Sequence, residues 1–192
     1  MADNLAGDSP YKRWTLTVGS TVRCTNCHAD GGSVAAPAAG DALAPHSSPY
    51  RGILLENYRD RILKSAGEAY ATADFALCYM CHGEQPFATE TSQATNFGLH
   101  GKHLTGISGA GQGGTDIDTP GDGQGNAVCA ECHFRLHSSA YPDGTQTVPG
   151  SRLVNFAPDV LPNNGVLSWT PSATGGSCTL TCHGKAHDHE GY

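Results

Sequence analysis

The sequence predicts a mostly irregular, coil-rich fold with a few short helices and minor β structure, a single domain over 1–192 built around something other than a side-chain core. Three observations predict it. Glycine and proline together supply 36 residues (25 plus 11), and both interrupt regular elements. Only 38% of residues are hydrophobic even with the cysteines counted, which is thin for a chain of this length. The eight cysteines fall in four close pairs, each followed at once by a histidine. Ordering so loop-rich a backbone costs about 1–2 kcal/mol per residue, so a large apolar ligand is expected to supply the missing buried surface.

In chain order, Arg13 to Val18 alternates like a strand, and Ile53 to Ala71 reads as a helix with Leu55, Tyr58 and Ile62 on one face. Short helical turns are expected to carry the cysteine pairs, with Asp74 placed to N-cap the turn at Leu77-Cys78. Between 146 and 170, Val148-Pro-Gly and Pro162-Asn-Asn-Gly surround two apolar runs and predict a short hairpin or paired extended segments. The remainder reads as irregular. No stretch approaches the ~20 apolar residues of a membrane helix, so no membrane span is expected. A formal charge of -7 argues against nucleic acid and anionic membrane surfaces as partners.

Cys24-Thr-Asn-Cys27-His28, Cys78-Tyr-Met-Cys81-His82 and Cys129-Ala-Glu-Cys132-His133 each match C-x-x-C-H, the attachment signature of c-type haem. Cys178-Thr-Leu-Thr-Cys182-His183 adds one residue between its cysteines. The spacing suits the chemistry, because two thiols in one short turn can form thioethers to the two vinyl groups of a single macrocycle. The next residue then aims an imidazole at the iron. Disulfides, with 105 possible pairings, or structural zinc would also use paired cysteines. Neither accounts for the histidines: with ten among 192 residues, one after every pair has a chance probability of roughly 10⁻⁵. Four covalent haem c groups with their iron are therefore expected, stacked to form the core of a multihaem cytochrome c. The motifs begin at 24, 78, 129 and 178, at intervals of 54, 51 and 49. The segments between them do not resemble one another, so even spacing rather than a duplicated module is expected.

Each iron with one histidine, His28, His82, His133 or His183, has a second axial position, and its occupant decides between electron transfer and small-molecule chemistry. Met80, the only methionine besides Met1, lies between two cysteines of its own motif and cannot cross that haem plane. Six histidines remain: His46, His100, His103, His137, His187 and His189. The first five are the expected distal ligands, and His189, between Asp188 and Glu190, reads as part of an exposed tail. His137 and His187 each follow a motif histidine by four residues, a helical spacing that would share its face and serve a different haem. His100 and His103 could serve two irons from one turn. Asp116 to Asn126 is a Gly-rich loop with recurring oxygen side chains; it lacks the spacing and Glu of an EF-hand, so calcium is the lesser expectation beside a solvated turn.

With these sites placed, the chain resembles the OmcE-like tetrahaem cytochromes that polymerise into extracellular conducting filaments, the cytochrome nanowire family of metal-reducing bacteria and some archaea. The resemblance rests on four attachment motifs in about two hundred residues, on Cys129-Ala-Glu-Cys132-His133-Phe-Arg-Leu-His137, on Leu153-Val-Asn-Phe156 and on Cys178 to His187. It implies an unbroken haem stack, a helical homopolymer in which one subunit's histidine can complete the next subunit's iron, and no catalytic residues. Upstream respiratory cytochromes would donate electrons, and a mineral, electrode or another cell would accept them. Covalent haem attachment is extracytoplasmic in most organisms, so an extracellular or cell-surface location is expected, with the periplasm as the alternative. The start Met-Ala-Asp-Asn lacks the regions of an export signal, which predicts a processed form. The competing expectations are a monomeric periplasmic shuttle and a multihaem reductase, which would need a five-coordinate haem.

Overall fold

The computed structural model describes residues 5, 7–17, 19–28, 48–59, 62–65, 68–89, 95, 97–106, 125–137, 153–173 and 175–191. Regular structure among them is short. Two 3-10 turns (Cys24–Asn26 and Thr72–Phe75) accompany helices α1 (Ala76–Tyr79), α2 (Gln85–Ala88), α3 (His100–Thr105) and α4 (Cys129–Cys132). Strands β1 (Ser168–Pro171), β2 (Gly176–Cys182) and β3 (Lys185–Gly191) form an antiparallel sheet in that order. The chain divides into two compact units, one of Asn4–Tyr58 with Ala71–Glu84, the other of Met1–Asp3, Arg59–Tyr70 and Gln85–Tyr192. The first two cysteine motifs fall in the former unit and the last two in the latter.

The unit holding the first two motifs is centred on Leu55, Leu77 and Met80, against which Trp14, Leu54, Tyr58, Cys27 and Cys81 pack. Phe75 and Tyr79 stand edge to face, with centroids 6.3 Å apart. The carbonyl of Met80, at the end of α1, accepts from the backbone N–H groups of Arg13 (3.0 Å) and Trp14 (2.9 Å). This explains why the expected strand at Arg13 to Val18 is not formed in the described residues 13–17. Its donors close a helix end instead of pairing with a strand, although exposure alternates from Trp14 to Thr17. Asp74 is not an N-cap: it lies inside the turn Thr72–Phe75, which runs directly into α1 with Phe75 in the capping position.

The helix expected over Ile53 to Ala71 is also absent from the described residues. Gly52 and Ile53 turn through left-handed backbone, with φ of 73° and 57°. The N–H of Leu55 then goes to the Cys27 carbonyl (2.8 Å), and the Asn57 carbonyl accepts from Leu77 (3.0 Å). Further on, Arg59 Nη2 donates to the Leu63 carbonyl and Lys64 Nζ to that of Ala69. Leu55 and Tyr58 do face the apolar cluster, but Ile62 is 74% exposed. The periodicity recorded burial without helical hydrogen bonding.

The other unit is organised by its sheet and by a cluster of Phe156, Val160, Leu167, Trp169 and Leu180, joined by Phe97, Val154, Cys178 and Cys182. The expected turn at Pro162-Asn-Asn-Gly is present: Asn163 and Val166 exchange backbone hydrogen bonds of 2.8 and 2.9 Å across Asn164 (φ 49°) and Gly165 (φ 77°). Two successive left-handed residues are the signature of a type I′ hairpin turn. Val148-Pro-Gly lies outside the described residues. Beyond this turn Trp169 pairs with Cys178 and Pro171 with Gly176 between β1 and β2. β2 and β3 pair through Leu180 with His187 and Cys182 with Lys185, with a bulge between Cys178 and Leu180. Among the described residues no helix is long and apolar enough to cross a membrane.

Candidate functional site

At the first motif, the turn Cys24–Asn26 begins where the Asn26 side chain accepts from the Arg23 N–H (2.8 Å) and closes where the His28 N–H reaches the Cys24 carbonyl (2.8 Å). Both thiols and the imidazole are thereby held within little more than one turn. The Nδ1 of His28 lies 2.8 Å from the Gly52 carbonyl. Since a carbonyl only accepts, Nδ1 carries the proton and the lone pair sits on Nε2, the tautomer of a histidine oriented for a metal.

The third motif repeats this device almost bond for bond. Glu131, in the place of Asn26, accepts from the N–H of Val128 (2.7 Å), and the His133 N–H closes on the Cys129 carbonyl (2.9 Å). His133 Nδ1 donates to the Leu153 carbonyl at 3.0 Å. The Cys132 carbonyl accepts from Asn155 (2.9 Å) as that of Cys27 accepts from Leu55 (2.8 Å). Ile53 and Leu153 share left-handed φ values of 57° and 56°. Even spacing alone did not predict this: two motifs of the four share a return segment that orients the histidine, although the intervening sequences are unlike.

The second motif uses different neighbours. α1 carries Cys78, His82 closes on its carbonyl (3.0 Å), and Lys12 Nζ holds the carbonyl of Cys81 (2.8 Å). Met80 is fully buried in the apolar cluster, a core residue.

The fourth motif departs from the expected helical turn. Cys178 and Cys182 lie on β2, and His183 (φ 50°) with Gly184 (φ 71°) makes the two-residue turn into β3. Thr179-Leu-Thr181 favours extended backbone, and four residues of strand span about 13 Å, against about 5–6 Å for side chains one helical turn apart. To join one macrocycle through both thiols, β2 must bend, and the bulge after Cys178 is where its register already breaks. The same donors are present in a different backbone.

His183 is buried, and its Nε2 lies 2.8 Å from Glu131 Oε1, with Cys182 Sγ at 3.6 Å from the same oxygen. One carboxylate thus ties the third motif to the fourth. Glu131, Cys182 and His183 are also near enough together to hold a metal ion.

Of the expected distal ligands, His46 lies outside the described residues, as do Asp116 to Gln124 of the proposed calcium loop; Asn126, at its end, is buried. His100 and His103 stand on α3. Their Nδ1 atoms lie 3.0 Å from Thr95 Oγ1 and 2.8 Å from the Leu99 carbonyl, so His103 presents its lone pair on Nε2. Phe97 packs against both rings, at 4.9 and 5.2 Å, and edge-on against Trp169 at 6.3 Å. His137 and His187 are not on helices continuing from their motifs. α4 ends at Cys132 and His137 sits in an exposed turn; His187 is on β3, paired with Glu190 (2.9 Å). His189 is exposed beside Asp188.

Surrounding protein lowers the pKa of His103 and His133 by desolvation, against the opposing pull of the Leu99 and Leu153 carbonyls. The shift favours the neutral imidazole, the form that ligates a metal. Burial also lowers His187, opposed by Glu190. It raises the thiols of Cys27 and Cys182 and pushes Cys81 up to about 11 and Cys178 up to about 12. All eight cysteines are described, and no disulfide joins them.

Trp169 is 8% exposed, yet its Nε1 has no hydrogen-bond partner among the described residues. A buried N–H left without an acceptor is costly; the six-membered ring of this indole lies against Gly176 on the strand that carries Cys178. Neither Glu131 nor Trp169 stood out in the sequence; a carboxylate inside C-x-x-C and a tryptophan nine residues before Cys178 give no local signal. What the residues can do together is hold flat apolar groups by paired thiols and ligate a metal in each through imidazole. No family model, curated protein or solved structure matches this chain.

Proposed function

We propose that this chain holds four haem c groups and moves electrons through them, as a subunit of a polymeric filament outside the cell. The observation that carries the reading is the repeated geometry of the first and third motifs. Two thiols sit in one capped turn, and the next imidazole is turned by a carbonyl 20 or 24 residues on so that its lone pair lies on Nε2. Disulfides do not need that histidine, and zinc, although it too takes closely spaced cysteine pairs, does not need a histidine directly after each pair.

When bound, each haem would supply an iron that gains and loses one electron. The residues do the rest by position. Cys24 and Cys27, Cys78 and Cys81, Cys129 and Cys132, and Cys178 and Cys182 would tether the four groups; His28, His82 and His133 would each ligate an iron, and His183 would do so in exchange for its contact with Glu131. Four among His46, His100, His103, His137 and His187 would supply the second imidazole, which would keep potentials low compared with a methionine ligand. No acid, base or nucleophile is required, since electron transfer between close macrocycles needs proximity and little reorganisation.

Intact mass and absorption spectra of the purified chain test the haems: four covalent additions and a Soret band of low-spin iron are expected, and the bare polypeptide mass would overturn the reading. Negative-stain images test the assembly. Filaments support it, whereas discrete low-spin particles would make the chain a monomeric shuttle, and a high-spin haem that binds nitrite or sulfite would make it a reductase.

A further inference from the structure

Glu131, Cys182 and His183 come from two different motifs and meet at one point. Glu131 stands on α4, inside the third motif, while Cys182 ends β2 and His183 begins the turn into β3. Their ligand atoms all lie within 4.8 Å of one another. His183 Nε2 is 2.8 Å and Cys182 Sγ 3.6 Å from Glu131 Oε1, and the histidine and glutamate side chains are only 3% and 2% exposed. As folded, this fourth motif does not fit a macrocycle. Cys178 and Cys182 stand on one paired strand, about 13 Å apart along it, and Glu131 holds the His183 nitrogen that would ligate.

What the three residues fit is a small cation. Thiolate sulfur, imidazole nitrogen and carboxylate oxygen are donors that zinc takes, at about 2.3, 2.0 and 2.1 Å. Around a tetrahedral ion those lengths put sulfur and oxygen about 3.6 Å apart, the separation already present here. Nitrogen and oxygen would open from 2.8 Å to about 3.3 Å, a small side-chain movement. Glu131 Oε2 accepts from the Val128 N–H (2.7 Å), so its other oxygen is oriented from behind as a metal ligand is. Charge also balances: carboxylate and thiolate carry two negative charges, and a divalent ion leaves the buried site neutral once the Cys182 thiol has given its proton to solvent.

We propose that Glu131, Cys182 and His183 bind a divalent cation of the zinc class, with water in the fourth position, and so staple α4 to the turn between β2 and β3. The inference does not rest on haem attachment. Ion and macrocycle would use the same Cys182 and His183, so they exclude each other, and the ion belongs to the chain whose fourth motif carries no haem.

The test uses the full chain, produced in cells without haem-attachment enzymes so that its thiols stay free, with cadmium as the probe. Each thiolate ligand moves a cadmium NMR resonance downfield, which separates a one-thiolate site from the two-thiolate sites that C-x-x-C pairs form. One such one-thiolate resonance is expected. It should vanish in Cys182→Ser and in Glu131→Gln, and persist in Cys178→Ser, because Cys178 is no part of the set. Loss in Cys178→Ser would reveal a thiolate pair and overturn the proposal. Persistence in Glu131→Gln, or the lack of any one-thiolate resonance, overturns it equally. A second measurement needs no substitution: cadmium should slow amide exchange at Val128, His183 and Gly184 at the same ratio of metal to chain. Slowing on one side of the staple alone contradicts the shared ion.

Discussion

Glu131 uses each oxygen of one carboxylate for a different task. Oε2 caps the start of α4 through Val128, and Oε1 meets His183, 52 residues later. Both side chains are nearly excluded from solvent. Removing the carboxylate deprives two buried donors of their acceptor, at about 1–3 kcal/mol each. Glu131→Ala should therefore lower stability by about 2–4 kcal/mol, read as a shift in the urea midpoint at constant slope. Glu131→Gln, which keeps an acceptor for Val128, should cost less. An equal loss in the two variants would mean that the charge, rather than the cap, carries the effect.

At the scale of elements, α4 is positioned from behind by a close backbone approach. Gly125 donates its N–H to the Lys64 carbonyl (2.6 Å), and a Cβ at 125 would overlap the carbonyl of Ser65 and press on Lys64 Cβ. Backbone cannot swing aside as a flexible side chain can, so Gly125→Ala should cost about 2–3 kcal/mol. Hydrogen exchange should show the loss first at Ala127 and Val128, which lead into the third motif. Local signals made some elements legible. Asn164-Gly165 specifies its turn because both residues tolerate left-handed backbone, and three motifs sit on helical turns because their spacing demands it. The helix expected from Ile53 failed because periodicity cannot reveal that Leu55 bonds to Cys27 and Asn57 to Leu77. The fourth motif lies on a strand for a legible reason: Thr179-Leu-Thr181 is a strand sequence, and it overrides the helical turn expected of the motif.

For the whole molecule, the motifs are shared two and two between the units, which the near-constant spacing of 54, 51 and 49 residues did not disclose. Cys27 and Cys81 pack on the same small cluster of Leu55, Leu77 and Met80. Under the proposed function, two tethered macrocycles would add to that cluster. Cys24→Ser with Cys27→Ser should then raise amide exchange at Leu55, Leu77 and Met80 more than at Phe156 or Leu180, a comparison that mass spectrometry of exchanged peptides can make. Equal increases at both clusters would show that the units do not unfold separately. The pairings most important to the candidate site, Glu131 with His183 and Trp169 with Cys178, depend on sheet register and on contacts across long stretches of chain, so neither was legible in the sequence.

The units interleave along the polypeptide: residues 59–70 belong with 85–192 although they are flanked by 4–58 and 71–84. A fragment ending at residue 84 would complete one unit, yet leave Lys64 and Ser65 without Gly125 to close on. No single cut yields two intact halves. For a chain emerging amino terminus first, the unit of residues 4–58 and 71–84 can close as soon as residue 84 is out, while Lys64 and Ser65 wait for Gly125.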